Sequence, residues 1–358
     1  MSIQLYLFFA IGAFWTSFVL SLLFLFTTVP KIQQLENYKS AKRMMAFAYL
    51  LFCIISLYEI IIRLRGINLP TFRTSILIFA TFQLYLFAHV NTSLIDLRYL
   101  STKKLLYHLI PVAILSFLNL GSYGGYWKGN YSNILYYSLL LFYTISIIFT
   151  VIIFFKHYWN YKKKFNNYFS GNSRDHLRWV YHANICILMA SIAVILFCIF
   201  SEEVNVIFPS LAIPFYTFYA IHFLNYSNIF KYVQPIVAEA TNKSIKASSI
   251  TFSQIEKSIG EWEKKKLYLN PDLTIAIVAS QISTNRTYLS SYLNTYKQMT
   301  FNEWINRLRI EEAKKIITAN KHVTLDNICE ETGYADKSYF SKCFQRYTGM
   351  TVKQWKSI

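Results

Sequence analysis

Two stretches of this chain place donors, acceptors and positive charge along one side of a helix. In the first, Lys337, Ser338, Ser341, Lys342, Gln345 and Arg346 are polar, and Tyr339, Phe340 and Phe344 form an apolar stripe behind them. In the second, Asn285, Arg286, Thr287, Ser290, Ser291 and Asn294 are polar, and Leu289 and Leu293 are apolar. Short hydroxyl and amide side chains beside Lys and Arg hydrogen-bond to base edges and pair with phosphates. A helix with such a face is what entry into the major groove of double-stranded DNA requires. By residue type, Arg286 and Lys337 suit guanine edges or nearby phosphates. Thr287, Ser290, Ser338 and Ser341 suit base edges, Gln345 adenine or a phosphate, and Lys342 and Arg346 phosphates.

These faces need elements to hold them. Thr324 is placed to cap a helix whose buried side is Leu325, Ile328 and Cys329; Gly333 supplies a turn with φ > 0, and Asp336 caps the helix that follows. Upstream, Leu273, Ile275, Val278 and Ala279 suit a short helix, with a turn around Ser283 before the second polar-faced helix. Between the two pairs, Thr300 and Glu303 read as a capping box, and Phe301, Trp304, Ile305 and Leu308 recur at helical spacing. Ala313, Ile316 and Ile317 continue that stripe to a stop at Asn320. Such a rod of about 19 residues is about 28 Å long. It suits two recognition helices about one duplex turn (roughly 34 Å) apart. Ser253 and Glu256 read as a further capping box before Ile255, Ile259 and Trp262, and Thr351 and Gln354 cap a short last helix.

Ile328, Gly333-Tyr334, Ser338-Tyr339-Phe340, Phe344, Tyr347-Thr348-Gly349 and Trp355 together resemble the C-terminal helix-turn-helix of AraC/XylS-type transcription regulators. Asn285 to Leu289, Phe301, Trp304-Ile305 and Leu308-Arg309-Ile310 through Ala313 are similar to the N-terminal unit and connecting helix of that family. The likeness covers residues 251–358. Val352 stands where proline is usual and Lys356 where arginine is; Ser283 and Gln298 occupy positions where glycine is commoner, and Leu293 replaces a common phenylalanine. The resemblance implies a DNA-binding domain with two helix-turn-helix units joined by a long helix, and activation of transcription through recruitment of RNA polymerase.

The rest of the chain is of another kind. Residues 1–240 hold 18 Lys/Arg and 7 Asp/Glu, whereas residues 241–358 hold 18 and 11; the whole is 54% hydrophobic with a net charge of +18. A charge-poor part followed by a basic, normally charged one is the signature of a membrane domain joined to a soluble domain. Apolar segments at 3–29, 44–62, 74–95, 105–122, 134–155, 180–200 and 207–224 predict seven spans. Residues 3–29 lack a preceding Lys or Arg and read as a retained first helix rather than a signal peptide. Loops one, three and five carry thirteen Lys/Arg and the other loops four. The positive-inside rule then puts the N-terminus outside and the C-terminal domain in the cytoplasm.

The expected architecture is all-α: a seven-helix transmembrane bundle in the lipid bilayer (1–230), a linker (231–250) and a cytoplasmic domain (251–358). Within the spans, Glu59 is placed to pair with Arg63 at i+4, and His89, His108 and His222 read as separate hydrogen-bonded residues at the cytoplasmic ends. Pro209 and Pro214 suit a kink in the seventh helix, and Tyr126 and Trp127 suit the interfacial aromatic belt. Cys53, Cys186, Cys198, Cys329 and Cys343 fit reduced thiols, with no zinc-like spacing. No catalytic constellation, metal site or cofactor is assigned. The reading is a membrane-embedded regulator, a homodimer responding to an unknown ligand. A transporter or membrane enzyme with an autoregulatory DNA-binding domain is the alternative, as is a tethered regulator released by proteolysis.

Overall fold

The computed structural model describes residues 3–30, 35–65, 69–99, 102–123, 130–171, 175–199, 207–237 and 252–357. Among them the regular elements are helices, and one isolated antiparallel bridge joins Phe169 to Thr274. The chain divides into two compact units. The first is Met1–Trp159 with His176–Ala238; the second is Asn160–Asp175 with Glu239–Ile358.

The first unit contains α1 (Ile3–Phe26), α2 (Glu36–Arg65), α3 (Leu69–Ile95), α4 (Thr102–Tyr123), most of α5 (Asn130–Tyr168), α6 (Arg178–Ile199), α7 (Ile207–Leu224) and α8 (Tyr226–Val237). Among the described residues the apolar segments lie mostly on helix, with α1 stopping at Phe26. The 24 residues of α1 rise about 36 Å, against about 30 Å of bilayer hydrocarbon. Five described helices are long and apolar enough to cross a membrane: Gln4–Phe26, Glu36–Ile61, Arg73–Ile95, Tyr131–Tyr168 and Arg178–Ile199. α4 is interrupted by Pro111, and the apolar part of α7, Ser210–Leu224, is shorter. Large apolar side chains such as Phe8, Phe117 and Leu211 face outward, while tyrosines fill the interior. Their hydroxyls need partners once buried. Tyr219 donates to Asn91 Oδ1 at 2.5 Å, Tyr49 to the Tyr216 carbonyl at 2.7 Å and Tyr38 to the Phe223 carbonyl at 2.9 Å.

Some expectations for this unit change, and others fall outside the described residues. Glu59 accepts from the Tyr6 hydroxyl at 2.9 Å, and the Arg63 side chain lies outside the described residues, as do Tyr126 and Trp127. The rings of His89 and His108 meet at 5.9 Å, whereas His222 stacks on Trp179. α5 does not stop near residue 155: it carries Lys156 and Lys162 to Lys164 on helix as far as Tyr168. α8 runs to Val237, into the stretch read as a linker. Cys53, Cys198, Cys329 and Cys343 are buried free thiols, and Cys186 is exposed.

The second unit is built on α12 (Phe301–Ala319), whose start is fixed by the full Thr300–Glu303 capping box and whose end is Asn320. On one side lie α9 (Phe252–Lys264), α10 (Ile275–Gln281) and α11 (Arg286–Ser291), burying Ile259, Trp262, Val278, Leu289 and Tyr292 against Trp304 and Ile305. On the other, α13 (Leu325–Thr332), α14 (Lys337–Thr348) and α15 (Val352–Ser357) accompany a second core of Ile310, Ala313, Ile317, Ile328, Phe340 and Phe344. α9 starts at Phe252, so Ser253 lies inside the helix rather than at its cap, and Glu256 pairs instead with Lys297 at 3.2 Å.

Candidate nucleic-acid interface

Each polar-faced helix begins at a cap that the local sequence dictates. Asp336 accepts from Tyr339 N at 2.6 Å to start α14, and Asn285 accepts from Tyr288 N at 3.0 Å to start α11. Asn285, read from sequence as facing DNA, is therefore the N-cap of its helix. The turns before the helices are alike in backbone: Gly333 has φ 74° and Ser283 has φ 54°. Gln298 has φ 52° as well, so the two positions where glycine is commoner adopt left-handed geometry without it.

On α14, Lys337, Ser338, Lys342, Gln345 and Arg346 are polar residues along one helix with Ser341, and Phe340, Cys343 and Phe344 are buried behind them. All six predicted residues therefore share this one helix. Lys337 pairs with Asp326 of α13, and Arg346 Nη2 lies 3.7 Å from Glu303 Oε1. Hydrogen bonding to Asp326 raises the Lys337 pKa and keeps it cationic. A groove of about 530 Å³ beside α14 is lined by Ser341, Lys342 and Gln345 together with Thr351, Lys353 and Lys356 of the chain end. Thr351 and Lys353 were not among the predicted contacts; their signal was the basic, polar run after Gly349.

On α11, Thr287 and Ser291 are one turn apart beside Arg286 and Ser290, and Leu289 is buried behind them. The helix passes into a π turn at Tyr292–Tyr296, which lets Tyr292 and Leu293 both face the core. Asn294 is engaged inside this turn, donating to the Ser290 carbonyl at 2.8 Å and its Oγ at 3.1 Å. The Arg286 guanidinium lies over the Tyr168 ring, 5.7 Å from its centroid.

Arg309 ties the two helix pairs to α12. Its side chain is fully buried; Nε donates to the Tyr268 carbonyl at 2.8 Å, Nη2 to the Asn270 carbonyl at 2.6 Å, and the guanidinium lies 5.5 Å from the Tyr334 ring centroid. Burial pushes its pKa down to about 10. Beside it, Glu312 bonds to Lys266 and Tyr268. Burial raises the Glu312 pKa, but hydrogen bonds and charge from Lys266 and Lys315 outweigh it and leave the carboxyl below 4.5. A Cβ at Gly333 would overlap the Leu269 carbonyl oxygen, so the turn of the second pair sits directly on the backbone that joins α9 to α10. The two faces are thereby presented by one frame.

Residues 278–357 match the family model described as Helix-turn-helix domain. Histidine kinase P4 of Formosa agariphila is 26% identical over 138 residues, which are 37% of this chain and 10% of that protein. An uncharacterized HTH-type transcriptional regulator in the cgkA 5′ region of Pseudoalteromonas carrageenovora is 35% identical over 89 residues, 25% of this chain and 51% of that one. The uncharacterized transcriptional regulatory protein YesN of Bacillus subtilis is 30% identical over 89 residues, 24% of each chain. This chain thus spans between a tenth and about half of these relatives. No solved structure matches it. The C-terminal domain is an AraC-type helix-turn-helix domain, the kind carried by DNA-binding transcription regulators.

Proposed function

We propose that this protein is a membrane-embedded, one-component transcription regulator that reads promoter DNA through two helix-turn-helix units. α10–α11 is the first unit and α13–α14 the second, and α12 holds them so that both recognition helices enter one face of a duplex. Thr287, Ser290, Ser291, Ser338, Ser341 and Gln345 read base edges; Arg286, Lys337, Lys342 and Arg346 supply guanine and phosphate contacts. Asn285 and Asn294 hold the first recognition helix in shape. The observation that carries this reading is the pair of polar, basic helix faces on one frame, in a chain whose described residues include five helices long and apolar enough to cross a membrane.

The first unit forms a seven-span bundle with the N-terminus outside and the DNA-binding domain in the cytoplasm. It senses a ligand at or within the membrane. That ligand acts by favouring one arrangement of the helices and so biasing how two copies of the chain pair on DNA and recruit RNA polymerase. The test uses membranes from cells producing the full chain, which should retain duplex DNA. An Arg286→Ala/Lys337→Ala variant should not; equal retention by the variant would overturn the assignment of these two helices.

A further inference from the structure

The helix-pair surface has an occupant from its own chain. Residues 160–175 belong to the second unit, and their Tyr168–Gly171 stretch lies against it at every residue. Tyr168 packs on the α9–α12 core and carries the Arg286 guanidinium on its ring. Phe169 forms an antiparallel bridge with Thr274, the N-cap of α10, and its carbonyl accepts from Asn302 Nδ2 at 3.5 Å. Ser170 is buried, and its N–H donates to the Leu273 carbonyl at 3.3 Å. Gly171 has φ 100°, and a Cβ there would overlap the Tyr339 hydroxyl and lie 2.9 Å from Asn302 Nδ2. Asp175 closes the segment, accepting from the Tyr161 hydroxyl and pairing with Lys162, each at 2.7 Å.

We propose that Tyr168–Gly171 is the resident partner of the surface formed by Thr274, Arg286, Asn302 and Tyr339, and that DNA displaces it. The inference rests on the DNA-binding reading above. Arg286 opens α11 and Tyr339 lies in the first turn of α14. Recognition helices enter the groove by their N-terminal residues. A duplex that engages Arg286 needs the guanidinium that the Tyr168 ring holds. The docked population therefore lowers apparent DNA affinity by the fraction of molecules left competent. The segment is continuous with α5, which gives the first unit a covalent route to the DNA-binding face.

The test measures binding of the full chain in detergent micelles to a labelled genomic fragment that it enriches in cells. Tyr168→Ala and Gly171→Ala should each bind more tightly, by about tenfold if the docked state holds about nine-tenths of the molecules. Opposed residues of an antiparallel bridge have Cα atoms about 4.5–5.5 Å apart, within disulfide reach. In a cysteine-free background that retains DNA binding, Phe169→Cys/Thr274→Cys should therefore crosslink on oxidation. Binding should weaken by about tenfold or more and return on reduction. If the crosslink forms without changing affinity, or both single variants bind within about twofold of the parent, the proposal is overturned while the DNA-binding reading stands. Failure of the crosslink to form overturns the docking itself. If parent, variants and reduced pair all fail to bind, the DNA-binding reading falls and takes this inference with it.

Discussion

Arg309 donates to two carbonyls from a site closed to solvent. Arg309→Leu orphans both acceptors at about 1–3 kcal/mol each, so the second unit should lose about 2–6 kcal/mol. Arg309→Lys should recover only part of this, because an ammonium lacks the planar fork. Amide exchange of α12 in the full chain measures both; unchanged protection would mean that the carbonyls find other donors. At the turns, Gly333→Ala combines a left-handed φ with a Cβ that strikes the Leu269 carbonyl oxygen, and should cost well over about 1 kcal/mol. Ser283→Gly should be near neutral, since relieving the turn is offset by a floppier unfolded chain. pH acts on the same hub. Burial raises the hydroxyls of Tyr268 and Tyr339 to about 12. Their contribution is present in full below pH 10 and is lost as pH climbs from 10 to about 12. Arg309, depressed to about 10, works the other way in that window. Tyr334, raised further still, adds to the two tyrosines, so the balance is a loss. Glu312 contributes above pH 4.5 and its share fades as pH falls through its lowered pKa. Exchange protection of α12 should therefore drop on both sides of neutrality; a flat profile to about pH 11 would contradict these burials.

At the scale of elements, Lys342 on α14 should act as a phosphate contact. Lys342→Ala should weaken binding to all sequences alike and reduce the slope of log affinity against log salt by about 0.9. An unchanged slope would remove Lys342 from the phosphate set. Asp326→Asn should free Lys337 and tighten binding by about two- to fivefold, an effect that added salt erases. The caps were legible because cap chemistry is local: Thr300, Glu303, Thr324, Gly333 and Asp336 all do what their types and spacing predict. The π turn after α11 was not, because one extra residue in a turn leaves no mark on a 3.6-residue period. Asn294 was thus read as facing outward when it stabilises that turn. The end of α5 was legible in part. Its lysines made it look like a loop, yet Tyr158, Tyr161 and Phe165 are buried at helical spacing through the same stretch. Ser253 was misread because a capping box specifies a local sequence that the start of α9 does not use.

At the scale of the whole molecule, a seven-span topology predicts which ends of α5 face which side. Tyr131→Cys, at its start, should react with an impermeant thiol reagent in intact cells, and Lys163→Cys, near its end, only after permeabilisation. The reverse pattern would invert the bundle and place the DNA-binding domain away from DNA. Apolar length made the helices of the first unit readable, but not how the chain is partitioned, since the second unit draws on residues 160–175 far upstream of its main body. Whether the chain reads DNA is decided by crosslinking it to the chromosome in growing cells and mapping the recovered fragments. Discrete sites that vanish in the Arg286→Ala/Lys337→Ala variant are expected; recovery of no discrete sites, or of the same sites with the variant, would mean that these helices do not read DNA.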